Sequence, residues 1–539
     1  MSAAPAARVP ALPATPLRLE WSRVWVLPLA LVSAACIAYL VLDLHPVDLA
    51  ASTYRANLFG DHGLALWNGN WYGGHYTLSY SVLTPPLTWL FGSVALEIAC
   101  ALISTALFAL LVRRLFGPTA LFGSLWFALS AATLVFHGRV PFGVGVAIGL
   151  AVLVALQQRW DRVALVLAFL CGLASPVAGL FLALAGASVA LAEGRRRGFW
   201  VAAFAIVPVI ALQVVFPEGG QQPYRGEDLV WLLTSCAFVM ILLPRGQATL
   251  RLGAGLYAFV GFAAYVANTP LGNNVCRLAP LVAGPLILSG LNGAQVRRRG
   301  VAVVVVMLGL LVYFQWKPVY EDVGKVQADP VVHSSYYTPL LAFLDRAGGP
   351  PFRVEIPFTQ AHWEAAAVAR RFPLARGWER QLDGTRDELF YGGVLNRVSY
   401  GTWLAEHGVR FVALPEGKPD FSSYKERALI ESGLPYLRLV WQSQDWRVYE
   451  VALPHAILIP HAEADMRLVS LGNSSFSVDV RHPGEAAVKV HWSPYWRASG
   501  GCVERAGQWT RVIATRPGRM RVAIEFSPER IVSHGRRCG

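Results

Sequence analysis

Between Trp25 and Trp316 the chain repeats one pattern, an apolar run followed by a short break, and that pattern leaves few folds open. Runs fall at about 24–43, 93–112, 119–136, 141–157, 163–175, 176–192, 199–216, 228–243, 252–267, 277–291 and 300–316. Crossing the hydrocarbon core of a bilayer takes about 20 apolar residues of helix. Inside that core only a helix or a closed barrel satisfies every backbone N–H and C=O. The stretch 163–192 reads either as one long helix or as two short ones broken at Ser175-Pro176, since proline removes a donor and disfavours helical geometry in the residue before it.

Arginine placement decides between them. No lysine occurs before Lys317. With eleven spans and the N-terminus inside, fifteen arginines fall on the inner side and four, Arg55, Arg139, Arg225 and Arg277, on the outer. A single span over 163–192 would put Arg159 and Arg195–Arg197 on opposite sides. The positive-inside rule therefore favours a hairpin at Pro176. The expected fold is a polytopic α-helical membrane protein of about eleven transmembrane helices, multi-pass in the plasma membrane. A cytoplasmic tail, 1–23, precedes the membrane domain, 24–316, and everything after Trp316 lies outside the cell.

Composition agrees. The chain is 55% hydrophobic and only 15% charged, less charge than a soluble domain carries. Its net charge of +13 comes largely from loop arginines, not from a basic face laid along a phosphate backbone, and this excludes nucleic acid as a partner. The first apolar run is not followed by an A-x-A site, so it is expected to be an anchor rather than a cleaved signal. Five of the seven cysteines lie in or at the edge of apolar runs, where they act as small hydrophobes. Cys502 and Cys538 belong to the tail, and outside the cytosol they are able to pair.

The tail changes character. From 317 to 450 it mixes helix-like runs such as Gln360–Arg371 with short strands such as "VRFVALP", Val409–Pro415, and an α/β domain is expected. From 451 to 539 "SFSVDV", "AVKVHW" and "RMRVAIEF" alternate with period two between Gly/Pro turns. That is the mark of antiparallel strands in a β-sandwich. "ARGWERQLD" (375–383) and "HWSPYWRASGG" (491–501) are dense in aromatic residues and arginine. Both suit core packing, and both could touch a glycan.

The first outer loop, 44–92, is far longer than a connector needs. Its first part, Asp48 to Phe59, could form an interfacial amphipathic helix, with Asp48, Ser52 and Arg55 on one face. Its second part, "LWNGNWYGGHYTLSYSVLTPP", is rich in Trp, Tyr, Gly and His. Rings such as those of Trp71 and Tyr72 either stack on sugar or anchor at the headgroups.

This order of one span, a long loop opened by an acid, many spans and a C-terminal outer domain resembles the GT-C superfamily of membrane glycosyltransferases. The loop motif, with "SPVAGLFLALA" and "TPLGNNVCRLAPLVAGPL" further on, is similar to an uncharacterised bacterial branch grouped with it. The superfamily's signature is one acid or a pair in this loop, and no adjacent pair occurs here. The resemblance implies transfer of a sugar from a polyprenyl-phosphate donor to a glycan, lipid or protein acceptor outside the membrane. Such an activity serves cell-envelope biogenesis. It implies no certain cofactor, and leaves room for a divalent metal at Asp48.

An inverting transfer needs a base for the acceptor hydroxyl and cations for the departing phosphate. Asp48 is the first choice for the base, with Asp61 and Asp43 behind it. The structural alternatives are a helix N-cap for Asp48, a turn for Asp61 and an interfacial cap for Asp43. Arg55, Arg139, Arg277 and His75 are the substrate-binding candidates. Headgroup snorkelling is the alternative for Arg139 and Arg277, and a purely structural role the alternative for His75. Arg225, in "YRGED", reads as a surface ion pair. The chain has no P-loop, GxGxxG, HExxH, CxxC pair or GxSxG elbow. Two rivals from other classes are a transporter or flippase of lipid-linked saccharide and a non-catalytic, glycan-binding membrane scaffold.

Overall fold

The computed structural model describes residues 23–532. The expected N-terminal tail and Cys538, hence the Cys502 pairing, lie outside the described residues. Cys36, Cys100, Cys171, Cys236 and Cys276 are free.

The N-terminal part is helical: α1 (Arg23–Val41), α2 (Val47–His62), α3 (Thr84–Phe91), α4 (Ser93–Phe116), α5 (Ala120–His137), α6 (Val140–Gln157) and α7 (Asp161–Ala174). It continues with α8 (Pro176–Glu193), α9 (Arg196–Val215), α10 (Gly226–Leu242), α11 (Ala248–Val266), α12 (Leu278–Gly290), α13 (Gly293–Arg299) and α14 (Val301–Val326). Each apolar run of the sequence lies on a helix. Six helical segments among the described residues are long and apolar enough to cross a membrane, α4 and α5 together making one of them. Others are short, α7 with 14 residues and α12 with 13, against the roughly 20 that a crossing takes. The surfaces of these helices turn large apolar side chains outward, including Phe122, Val166, Ile210, Phe259, Phe262 and Val305. An exposed apolar surface of this extent suits lipid.

The expected break at Ser175-Pro176 is present. The Ser175 side chain accepts from the Ala178 N–H, and Pro176 opens α8, where its missing N–H costs nothing. Small residues bring α8 and α9 together: a Cβ on Gly186 would come within 2.7 Å of the Gly198 carbonyl, and one on Gly198 within 2.6 Å of that of Gly186. Close approach of this kind substitutes for hydrophobic driving force within lipid. Helix α14 runs straight through the boundary expected at 316 and ends only at Val326.

The C-terminal part contains two β regions. In the first, β3 (Arg353–Glu355), β4 (Val409–Pro415), β5 (Leu437–Gln442) and β6 (Trp446–Val451) form a mixed sheet of order β3-β4-β6-β5. The helix expected over Gln360–Arg371 is reduced to Glu364–Ala367, the rest being turns. The second region is a sandwich of β7 (Leu458–Pro460), β8 (Asp465–Leu471), β9 (Ser475–His482), β10 (Gly484–His491), β11 (Trp496–Ala498), β12 (Gly501–Ala506), β13 (Trp509–Ala514) and β14 (Gly518–Ile524). Its sheets have the orders β12-β13-β10-β7 and β11-β14-β9-β8. Alternate residues face one core, among them Val478, Val480, Val488, Val512 and Val522. This is the period-two pattern of a half-buried strand made physical.

The loop 44–92 is largely buried in protein. Helix α2 buries Leu49, Ala50, Ala51, Tyr54, Ala56 and Leu58, so it is packed within protein instead of lying in the interface. The rest of the loop is wedged against both C-terminal regions. A two-stranded hairpin, β1 (Trp67–Asn68) with β2 (His75–Tyr76), pairs antiparallel. The Gly69 N–H donates to the Asn473 carbonyl at 2.7 Å, and the His491 N–H to the Gly73 carbonyl at 2.8 Å.

Candidate functional site

The site is built at the start of α2. Pro46 precedes it with φ −62° and ψ 156°, so Asp48 is in the first turn and is not the N-cap. A carboxylate there faces the helix's positive end. Two indoles hold this segment from the C-terminal part. Trp363 Nε1 donates to the His45 carbonyl and Trp378 Nε1 to the Val47 carbonyl, each at 3.1 Å.

Gly138 brings the second element in. It ends α5 in the left-handed conformation, φ 70°, which glycine adopts without penalty. A Cβ there would sit 2.7 Å from the Leu49 backbone nitrogen, so the α5–α6 turn lies directly on the first turn of α2. In consequence Arg139 Nε reaches Asp48 Oδ2 at 3.4 Å. The third element is the 3-10 turn Gly272–Arg277. Arg277 lies over the Phe142 ring at 5.7 Å, with Asp48, Arg139 and Tyr80 as its electrostatic neighbours.

These three side chains line one cavity of about 1040 Å³ between the helical part and the first β region. Arg225, which pairs with Glu227 at 3.4 Å, lines it too, so three of the four arginines assigned to outer loops meet there. The far wall is Trp378, Glu379, Arg380, Gln381 and Phe421. Arg380 donates both Nη groups to Asp420 at 3.0 Å and lies on the Trp378 and Phe421 rings at 4.8 and 4.7 Å. His362 stacks on Trp378 with ring centroids 3.5 Å apart, and burial lowers its pKa to about 4.

The other sequence candidates are placed elsewhere. Arg55 turns behind the cavity and pairs with Glu379 while lying 3.8 Å from the Tyr80 ring centre; it does not pair with Asp48. His75 is buried, bonded to Asn68 at 3.0 Å and to the Tyr76 carbonyl at 3.0 Å. Burial lowers its pKa to about 4. Trp71 is wholly enclosed and donates to the Ala365 carbonyl at 3.1 Å. The Tyr72 hydroxyl donates to the Gly377 carbonyl at 2.6 Å. Asp61 accepts both arms of Arg370 at 2.9 and 2.8 Å, away from the cavity. Among the described residues, the His/Cys/Asp/Glu group with metal-ligand spacing is Asp43, His45 and His333, and Asp48 is not in it.

The wall takes in the segment 378–381, from a run expected to pack in the core or touch a glycan, and Glu218, which no sequence signal marks. "ARGWERQLD" divides: Arg376 is buried on Asp383 at 2.7 Å, whereas Trp378 to Gln381 face the cavity. Its aromatic and arginine density was the available signal. Glu218 accepts from Arg386 at 2.7 Å, and burial raises its pKa to about 7.

The cavity thus offers carboxylates, Asp48, Asp228 and Glu321 among them, together with guanidinium groups, amides and aromatic faces. This set can hold an anionic headgroup and take a proton from a hydroxyl. The chain matches no protein-family model and no curated protein.

Proposed function

We propose that the protein is a membrane glycosyltransferase that moves a sugar from a polyprenyl-phosphate donor to an acceptor hydroxyl outside the cell. The reading takes eleven crossings of the plasma membrane, with the N-terminus inside and the C-terminal regions outside. The observation that carries it is the meeting of Asp48, Arg139 and Arg277 on one cavity of about 1040 Å³, although they lie in three separate segments of the chain. Cavities that enclose small ligands run from roughly 300 to 1,000 Å³, so this one has room for a sugar phosphate and an acceptor together.

In this mechanism the Asp48 carboxylate takes the acceptor proton as its oxygen attacks the anomeric carbon. The bond from that carbon to the phosphate oxygen breaks with inversion. Arg139 and Arg277 stabilise the charge on the departing lipid phosphate. The aromatic faces of Trp378 and Phe421 suit sugar rings.

A second reading, a flippase of lipid-linked saccharide, has its own support. Glu97 is buried in α4, and among the described residues one of its carboxylate oxygens, Oε1, is without a hydrogen-bond partner. Ionisable groups inside spanning helices often mark transport paths. The experiment that separates the two uses purified protein in vesicles with defined polyprenyl-phosphate sugars. Release of free polyprenyl phosphate together with a glycosylated acceptor is the expected result. Donor crossing the bilayer unconsumed would transfer the argument to the flippase. A failure to bind or consume any such donor would remove both.

A further inference from the structure

The helix that carries Asp48 is preceded by a cluster that the cavity does not use. Asp43 closes the turn after α1, His45 stands before α2, and His333 follows α14 on the C-terminal side. One ligand atom from each lies within 4.8 Å of the other two. In a tetrahedral site with metal–nitrogen bonds of about 2.0–2.1 Å, ligand atoms stand roughly 3.4 Å apart, so small side-chain rotations bring the three to that spacing.

The surroundings prepare the ligands. His45 Nδ1 lies 3.0 Å from the Asp43 carbonyl oxygen. The same nitrogen lies 3.9 Å from Asp43 Oδ1, near the ligand spacing of a shared metal. The His45 and His333 rings meet edge-on with centroids 5.4 Å apart, and Trp363 packs on His45 at 5.6 Å. Asp43 itself holds φ 47°, a left-handed conformation uncommon outside glycine.

We infer that Asp43, His45 and His333 form a binding site for a borderline divalent transition metal such as Zn²⁺, which clips the C-terminal part to the turn that leads into α2. Two imidazoles and one carboxylate select Zn²⁺, Ni²⁺ or Cu²⁺ over Mg²⁺ and Ca²⁺, which take oxygen shells. With three protein ligands, water completes the sphere. Asp43 and His333 are exposed and His45 is half-buried, so the metal exchanges with solvent and the clip can load and unload. His45 stands three positions before Asp48, so the bound metal restrains the same segment that Trp363 and Trp378 hold. The inference does not depend on the glycosyltransferase reading.

The test uses full-length protein in detergent micelles, purified without a histidine tag. Zn²⁺ affinity is measured by competition with a chromogenic chelator, and Co²⁺ is substituted to read its visible d–d absorption. One Zn²⁺ per chain is expected, with affinity reduced at least about tenfold in both His333→Ala and His45→Ala. The Co²⁺ band should vanish in both variants. His461→Ala, at an exposed histidine in another region, should leave binding and spectrum unchanged. His333→Gln serves as a second variant if the alanine protein is unstable. Zn²⁺ binding equally weak in wild type and His333→Ala would mean adventitious surface binding only, and would overturn the site. A stoichiometric site that survives both histidine substitutions would overturn it as well.

Discussion

Removing Glu379 should cost this protein more than removing Arg55 and Glu379 together. Arg55 is 5% exposed and Glu379 6%. The two form a buried ion pair that ties α2 to the segment 378–381. Among the described residues, Arg55 Nε and Nη1 make no hydrogen bond, so Glu379 is the guanidinium's one carboxylate partner there. Truncating a single partner of a buried pair strands the other charge and costs about 3–5 kcal/mol. The Tyr80 face at 3.8 Å contributes about 2 kcal/mol as a desolvated cation–π contact, but that contact is already present in the wild type and compensates nothing. Glu379→Ala should therefore lose about 3–5 kcal/mol. Arg55→Met with Glu379→Leu should fall within about 1 kcal/mol of wild type, because apolar replacements of similar volume often match a buried pair. Chemical denaturation in micelles, followed by tryptophan fluorescence, measures both. A loss below about 1 kcal/mol in Glu379→Ala would show that the guanidinium finds water or another partner, and would refute the reasoning.

Gly138→Ala should destabilise the protein by about 2–4 kcal/mol, from left-handed strain and overpacking together, and should cut transfer by shifting Arg139 off Asp48; unchanged stability and turnover would contradict the packing. Arg139→Ala and Arg277→Ala should each weaken donor binding and turnover, and Arg139→Lys should restore only part of it, since lysine lacks the guanidinium fork; the assay is transfer against donor concentration. His75 is buried neutral with its pKa lowered from 6.5 to about 4, so its contribution to stability is fully present above pH 6.5 and is lost as pH falls towards 4. His75→Gln should accordingly show a shallower loss of thermal stability between pH 7 and 5 than wild type.

The helical part was legible because hydrophobic runs and arginine clusters are local signals. Each expected run lies on a helix, and Ser175-Pro176 breaks the chain as its chemistry requires. The strands of the sandwich were legible for the same reason, as in Ser475–His482. What failed was everything set by contacts distant in sequence. The aromatics of the first outer loop read as sugar-stacking rings or headgroup anchors, yet Trp67, Trp71 and Tyr72 are packed among residues such as Trp496, Ala365 and Gly377. Arg55 shares a helix face with Asp48, as expected, but its partner Glu379 is more than 300 positions away, and no local spacing announces it. Asp48, Arg139 and Arg277 were each identified singly. Their convergence depends on Gly138 and on the Trp378 contact to Val47, which only the fold supplies.

Whether Asp48 serves as the general base is decided by the turnover of Asp48→Asn in a defined polyprenyl-phosphate-sugar transfer assay. Asparagine keeps the size of the side chain and removes its basicity. Because Asp48 is not the N-cap and pairs with Arg139 only at 3.4 Å on an open cavity wall, the variant should express and melt like wild type. A loss of at least about a hundredfold in turnover is expected, the scale of removing a general base, with donor binding retained. Near-wild-type turnover in Asp48→Asn would contradict that role.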